Sequence, residues 1–165
     1  MISIIAAVGR NLELGHNNKL IWNIKDDMKY FRDTTINHSV IVGLNTFKSF
    51  PNGLKDRKIF VLTDLIESDP DKNIFATVDI DGLINEYKNS LDEVFVIGGA
   101  YVYSEFIDVA DKIYLTEIDA TCNDADVYFP EFDKRMYKKR IIKSGTYEDI
   151  NYQMCVYEKD NILLT

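Results

Sequence analysis

Val94-Phe95-Val96-Ile97-Gly98-Gly99-Ala100-Tyr101-Val102-Tyr103 is the stretch on which the reading of the fold turns. An apolar, largely β-branched run stops at two glycines, and an amphipathic run follows, which reads as strand, tight turn and helix. A second junction of this kind lies at Val40-Ile41-Val42-Gly43, followed by Asn45-Thr46-Phe47. Further apolar runs occur at 2–8, 58–63 and 112–118, and runs without polar alternation suit strands covered on both faces. Between them the pattern turns helical. Residues 25–35 place Met28, Phe31 and Arg32 to one side of Asp27, and residues 79–88 carry Asp79 as a cap with Leu83, Ile84 and Tyr87 as the apolar face. Strands alternating with helices predict an α/β fold built on a mixed, mainly parallel central sheet with flanking helices.

The last third changes character. Residues 137–142 and 152–159 read as two β runs around a turn at Ser144-Gly145-Thr146, which predicts an antiparallel C-terminal edge on the sheet. With 165 residues, no repeat and no linker, one domain over 1–165 is expected. The acidic stretch 67–72, with Pro70, reads as a solvated loop.

Charge and composition narrow the partners. Nineteen Lys and Arg against 27 Asp and Glu leave a net charge of −8, which argues against nucleic acid or an anionic membrane and for a small molecule. If that molecule is an anion, the few cations must gather at one place. Cys122 and Cys155 are too few for a disulfide framework and read as buried thiols in β structure, consistent with a reducing cytoplasm. The apolar start at 2–8 is too short to span a bilayer and reads as a first strand. His16 and His38 lack the spaced carboxylates or cysteines of a metal site, so no metal is expected. No nucleophile elbow, P-loop or G-x-G-x-x-G fingerprint is present.

Two features remain that could carry chemistry. Each strand-glycine-helix junction alone is a common tight turn, but two on parallel strands present backbone N–H groups that could clamp a pyrophosphate. The second feature is Asp27, in the first turn of a helix among Ile24, Met28 and Phe31. Asp26 and Asp27 both suit a helix N-terminus as plain surface carboxylates. Alternatively, Asp27 points into an apolar pocket, where a lone carboxylate would bind a planar amidine-like donor pair such as the edge of an aminopyrimidine.

A family resemblance rests on particular residues. Ile2-Ser3-Ile4-Ile5-Ala6-Ala7, Leu14-Gly15, Trp22-Asn23, Asp27, Phe31, Val40-Ile41-Val42-Gly43, Thr46-Phe47, Arg57-Lys58, Val96-Ile97-Gly98-Gly99, Tyr103, Thr116 and the segment from Asp126 to Phe129-Pro130 stand in the order and spacing of dihydrofolate reductases. The chain resembles the bacterial type over nearly its whole length, with a small insertion near 88–92. The resemblance implies reduction of 7,8-dihydrofolate to 5,6,7,8-tetrahydrofolate, by hydride transfer from NADPH to pterin C6 and protonation at N5. Asp27 would bind the pterin 2-amino group and N3, and Thr116 would hydrogen-bond Asp27, with Trp22 and Tyr103 completing the catalytic set. Burial would raise the Asp27 pKa and hydrogen bonds to its ionised form would lower it, and the sequence leaves the winner open.

The same resemblance assigns Ile5, Met28, Phe31, Phe50, Leu54 and Ile97 to the pterin and benzoyl pocket. Arg57 would fork onto the substrate α-carboxylate, with Arg32 as a second cation. The cofactor would fall to Ala7, Leu14, Gly15, Asn18, Lys19, Gly43, Leu44, Asn45, Thr46, Leu62, Thr63, Asp64, Ile97, Gly98, Gly99, Ala100, Tyr101, Val102 and Tyr103. In relatives the Gly98-Gly99 peptide is cis. Segment 15–24 would cover the nicotinamide and exclude water. A monomer that binds diaminopyrimidine and other antifolate inhibitors is also implied.

The chain departs from the family at the adenosine end. Many bacterial relatives carry arginine at the position of Leu44, serine at Asp64 and arginine at Tyr101. A carboxylate near a ribose 2′ position favours a free hydroxyl over a phosphate, so weakened preference for NADPH, with NADH as an alternative, is expected unless Lys48, Lys58 or Lys72 compensates. Ile21 stands where the family usually has proline, which predicts a less rigid loop. Two other readings compete: the riboflavin-pathway pyrimidine reductase of the same fold, which Trp22, Asp27 and Arg57 disfavour, and a non-catalytic nucleotide-binding module.

Overall fold

Apolar runs that never alternate need cover on both faces, and the computed structural model, which describes residues 1–50 and 52–160, shows where that cover comes from. In chain order the elements are β1 (Ile2–Val8), β2 (Glu13–His16), β3 (Lys19–Leu20), α1 (Lys25–Thr35), β4 (Ser39–Gly43), α2 (Leu44–Lys48), β5 (Lys58–Leu62) and β6 (Ile74–Thr77). There follow α3 (Ile80–Tyr87), β7 (Val94–Val96), α4 (Ala100–Phe106), β8 (Lys112–Ile118), β9 (Val127–Tyr128), β10 (Tyr137–Tyr147) and β11 (Ile150–Lys159). The main sheet has the order β10-β11-β8-β1-β7-β4-β5-β6. From β8 to β6 its strands run parallel, whereas β11 is antiparallel to β8 and β10 to β11. The expected mixed α/β architecture is therefore present.

Successive strand residues point to opposite faces, and both faces are packed. Val40, Val42, Ile59, Val61, Phe95 and Ile97 meet Tyr30 and Phe31 of α1 and Leu44 and Phe47 of α2. Ile41, Phe60, Val94 and Val96 point the other way, onto Leu83 and Tyr87 of α3 and Val102, Tyr103 and Phe106 of α4. Asp79 caps α3 as expected, its Oδ1 accepting from Gly82 N at 2.9 Å. In α1 the cap position is Ile24, with no side-chain cap bond, which leaves the carboxylates of the first turn for other uses.

The C-terminal hairpin corrects the sequence expectation. Its turn is Glu148-Asp149, both at positive φ, between paired Tyr147 and Ile150, and Ser144-Gly145-Thr146 lie inside β10. Gly145 is there because its cross-strand partner Tyr152 lies over it, so closely that a Cβ would collide with the phenol. An acidic pair takes the left-handed positions that a glycine is normally expected to supply. Smaller differences follow. β5 and β7 each end one residue earlier than expected, at Leu62 and Val96. The stretch 67–72 is largely exposed but holds a 3-10 turn at Pro70–Lys72. Cys155 is buried in β11, but Cys122 is only half-buried and lies in the loop between β8 and β9. A second sheet of β3, β2 and β9 has no apolar run to announce it.

Candidate active site

Asp27 sits in the first turn of α1, where its carboxylate faces the parallel sheet. The neighbouring strands β1 and β8 place Ala7 beside Thr116, and the Thr116 hydroxyl donates to Asp27 Oδ1 at 2.5 Å. Among the described residues this is the only hydrogen bond to that carboxylate. Burial outweighs it, and the Asp27 pKa is pushed above the ordinary carboxylate value. The balance left open by the sequence is thus decided by a shortage of donors. Asp26, one residue earlier, is exposed and accepts from Tyr152 OH at 3.1 Å, with Lys143 Nζ at 3.7 Å. Adjacent acids on one helix therefore have different surroundings.

An apolar cluster packs against α1 close to Asp27, reaching Phe31 one turn further on. Ile5, Leu54 and Ile97 are buried in one cluster with Phe31 and Phe50, whose rings stack with centroids 5.9 Å apart. Met28 differs from the rest of the expected lining, being 43% exposed. At the C-terminal end of α1 lies Arg57, only 8% exposed. Its Nε donates to Thr35 Oγ1 (3.0 Å), Nη1 to Lys55 O (2.6 Å) and Nη2 to Arg32 O (3.1 Å). These three bonds use three of the five guanidinium N–H donors and leave one on each terminal nitrogen, the pattern that a carboxylate meets as an end-on fork. Burial lowers the Arg57 pKa from its usual value, without making neutral arginine relevant at ordinary pH. Arg32 takes part through its carbonyl, while its side chain is exposed. Thr35 was missed in the sequence: a buried threonine in the last turn of a helix, its hydroxyl donating to Phe31 O at 2.8 Å, is a recognisable but common signal.

Across the C-terminal ends of β4 and β7 the two glycine junctions meet, Gly43 N donating to Gly98 O at 2.8 Å. The Gly98-Gly99 peptide is cis, and Gly98 has φ +126°, a conformation that favours glycine. Gly43 before α2 and Gly99 before α4 make no side-chain cap bond, so first-turn N–H groups remain available to an anion. The helices are only 5 and 7 residues long, so local N–H donors matter more here than any long helix dipole. Thr46 lies against both glycines. Tyr103 is buried, its hydroxyl donating to Ile5 O at 2.7 Å, and burial with the nearby Asp27 charge raises its pKa. Thr63 is buried and accepts from Leu65 N at 3.1 Å, Leu62 and Leu44 are half-buried, and Asp64 and Tyr101 (66%) are exposed. Val102 and Ala100 belong to α4, and Asn45 is exposed on α2.

Segment 9–24 joins β1 to α1. Trp22 packs with Ala7, Ile24 and Ile118. Leu14 and Gly15 lie on β2, Lys19 on β3, and Asn18 in the left-handed turn between them. Asp126 accepts from Asn17 N at 3.0 Å. Separately, a shallow cavity of about 490 Å³ lies between Gly9–Leu12 and the ends of β8 and β11. Its charges pair with one another, Arg10 with Asp119 at 2.5 Å and Lys134 with Glu117 at 3.6 Å, and Asp27 does not line it. Among the described residues no helix is long and apolar enough to cross a membrane.

An open parallel sheet with paired glycine junctions at its carboxyl ends and one buried, donor-poor carboxylate beside an apolar cluster is the arrangement of a nucleotide-binding α/β enzyme. Comparison with known proteins makes the class specific. The family model described as Dihydrofolate reductase matches residues 1–159. A dihydrofolate reductase of Bacillus subtilis (strain 168) is 35% identical over 166 residues, covering 98% of this chain and 96% of its own. One from Buchnera aphidicola subsp. Schizaphis graminum is 33% identical, covering 93% and 95%, and dihydrofolate reductase type 15 of Escherichia coli is 30% identical, covering 96% and 98%. The chain belongs to the dihydrofolate reductase family. Neither the riboflavin-pathway reading nor the non-catalytic module is favoured by these matches.

Proposed function

We propose that this chain reduces 7,8-dihydrofolate to 5,6,7,8-tetrahydrofolate, as a monomeric cytoplasmic enzyme of one domain over 1–165 that supplies one-carbon metabolism and thymidylate synthesis. Residues 161–165 lie outside the described part. The observation that carries the reading is the pairing of an anion and a cation at opposite ends of α1: Asp27 with its single donor in the first turn, and Arg57, with two N–H groups unused, bonded to the last turn. A pterin offers Asp27 a 2-amino group and a ring N–H, and the glutamate α-carboxylate suits Arg57. Bound in the crevice, the reduced nicotinamide ring supplies the hydride. Asp27 holds the pterin and favours its protonated form, Ile5 and Ile97 fix the stacking plane, and Trp22 helps exclude water. The same carboxylate suits diaminopyrimidine antifolates, which pair with it when protonated. Neither nucleic acid nor membrane is a partner in this reading.

The reductant is a nicotinamide dinucleotide, with NADPH the form implied by family resemblance and its preference over NADH weakened in this chain. Support comes from the adenosine end. Lys58 lies at the start of β5, the opposite end of that strand from Thr63, with Nζ 5.0 Å and 5.1 Å from the Phe60 and Phe75 ring centroids. Lys72 precedes β6 and pairs with Asp69 at 3.9 Å. Of the three lysines considered, only Lys48, in the last turn of α2, stays beside the carboxyl ends. Asp64 stands exposed among them. Steady-state kcat/KM with each cofactor, together with dissociation constants of NADP+ and NAD+ read from quenching of Trp22, tests this. The expected preference for NADPH is below roughly a hundredfold, about 2.7 kcal/mol. A larger ratio in both measurements overturns the weakening, and no reduction with either cofactor overturns the enzymatic assignment.

A further inference from the structure

Glu13 is the most buried acidic residue among those described, at 2% exposure, and nothing in the proposed chemistry uses it. It lies on β2, within the segment between β1 and α1, part of which the proposed function sets over the nicotinamide. One carboxylate oxygen accepts from Asn11 N at 2.7 Å, in the turn entering β2, and the other accepts from Cys122 N at 2.7 Å, in the loop after β8. Gly9 N donates to Glu13 O at 3.1 Å. A Cβ on Gly9 would stand 2.6 Å from Glu13 Oε1 and 2.6 Å from the tip of the Trp22 indole. The carboxylate and the indole thus close on the same point of backbone, which only glycine leaves open.

We propose that Glu13 is a positioning residue, whose carboxylate ties segment 9–24 to the loop 119–123 and thereby sets Trp22 over the cofactor crevice. Backbone bonds also join these segments, Arg10 N donating to Ala120 O at 2.9 Å, and Phe129 N and Asp126 N donating to Leu12 O and Gly15 O at 2.8 and 3.0 Å, but among the side-chain ties Glu13 is the buried one. The Arg10–Asp119 pair and the Asn17 N bond to Asp126 are exposed to water, where such contacts contribute little. Glu13 works away from solvent, and its two bonds need two acceptors on one group. A carboxamide offers one acceptor and turns a donor toward the other N–H. Accordingly the Glu13 carboxyl stays below its ordinary pKa: burial pushes it up, but the backbone N–H groups of Glu13 itself, Cys122 and Asn11 outweigh it.

The role of Trp22 above the crevice rests on the reading in Proposed function, and the test separates the two. Trp22 is the sole tryptophan, so emission of the ligand-free protein reports its packing alone. Glu13→Gln is expected to shift Trp22 emission to the red and to lower kcat between roughly ten- and a hundredfold, with KM for dihydrofolate within about twofold. Emission and kcat both unchanged, with only the Tm lowered, would make Glu13 a structural brace and overturn the proposal. If the variant does not fold, hydrogen exchange of the native protein decides: slow exchange at the Asn11 and Cys122 amides supports the tie, and exchange as fast as at exposed Asn123 sinks it. A native protein without reductase activity breaks the functional reading instead, and the emission shift then judges the Glu13 tie by itself.

Discussion

Thr116 and Glu117 are neighbours on β8, and the two faces that they serve treat a carboxylate in opposite ways. Toward the crevice, Thr116 gives Asp27 its one hydrogen bond, and burial keeps the acid's pKa raised. On the other face, burial also pushes Glu117 up, but Lys139 Nζ at 2.6 Å, Tyr157 OH at 2.8 Å and the Cys155 thiol at 3.4 Å all donate to it, and its pKa falls below the ordinary value. The cost appears on the partners. Burial and the Glu117 charge raise the Cys155 thiol to about 11, so it stays protonated and unreactive. The difference lies in donors supplied, since both acids are partly withdrawn from water. A satisfied carboxylate holds structure together, whereas one left short of donors is poised to take them from a ligand.

The sharpest way to break this comparison is Asp27→Asn. Activity at neutral pH should fall by roughly a thousandfold or more, and affinity for a diaminopyrimidine should fall with it. Stability should move the other way. A carboxyl whose folded pKa is raised contributes stability that is full below the unfolded pKa and lost as pH rises through the folded one. At pH 7 the Asn variant should therefore melt higher than the native protein, and the gain should vanish near pH 3. Near-native turnover would remove Asp27 from the reaction, and a lower Tm at pH 7 would show that its charge is not a burden.

Thr116→Val should have an intermediate effect. Losing the single donor raises the Asp27 pKa further, so the inflection of the kcat–pH profile should move to higher pH and turnover should drop about tenfold. An unmoved inflection would show that the hydroxyl does not sense the acid. The smallest effect on catalysis belongs to Glu117→Gln. Its kcat/KM should stay within about twofold of native, while stability at pH 7 falls by about 1 kcal/mol. Because the Glu117 folded pKa is depressed, its contribution is present above the unfolded pKa and lost as pH falls through the folded value. Urea melts at pH 7 and pH 3 should show the gap closing at the lower pH.

Much of the framework is legible along the chain because covered strands demand unbroken apolar runs, as Val94 to Val96 and Ser39 to Gly43 show. The Asp79 cap is legible for the same local reason, its partner Gly82 being three residues away. Illegible elements depend on distant partners. Gly145 reads as a turn until Tyr152 is found lying across it, and β2, β3 and β9 pair without any apolar face to mark them. Within the site, residue types at family spacing identify Asp27, Thr116 and Arg57 as candidates. Thr35 and Glu13 carry no such mark, because each matters through one bond to a backbone or side chain far along the chain.

The sequence by itself determined the covered parallel sheet, the glycine junctions, the two adjacent acids at the start of α1 and the scarcity of cations in a chain of net charge −8. Tertiary structure alone decided how those charges are used. It gave Asp27 one donor and Glu117 three, left Arg57 two unused N–H groups, and carried Lys58 and Lys72 away from the carboxyl ends of the strands. The reason is physical: apolar periodicity is a local property of the chain, whereas a pKa or an open hydrogen-bond donor depends on groups brought together from many residues apart.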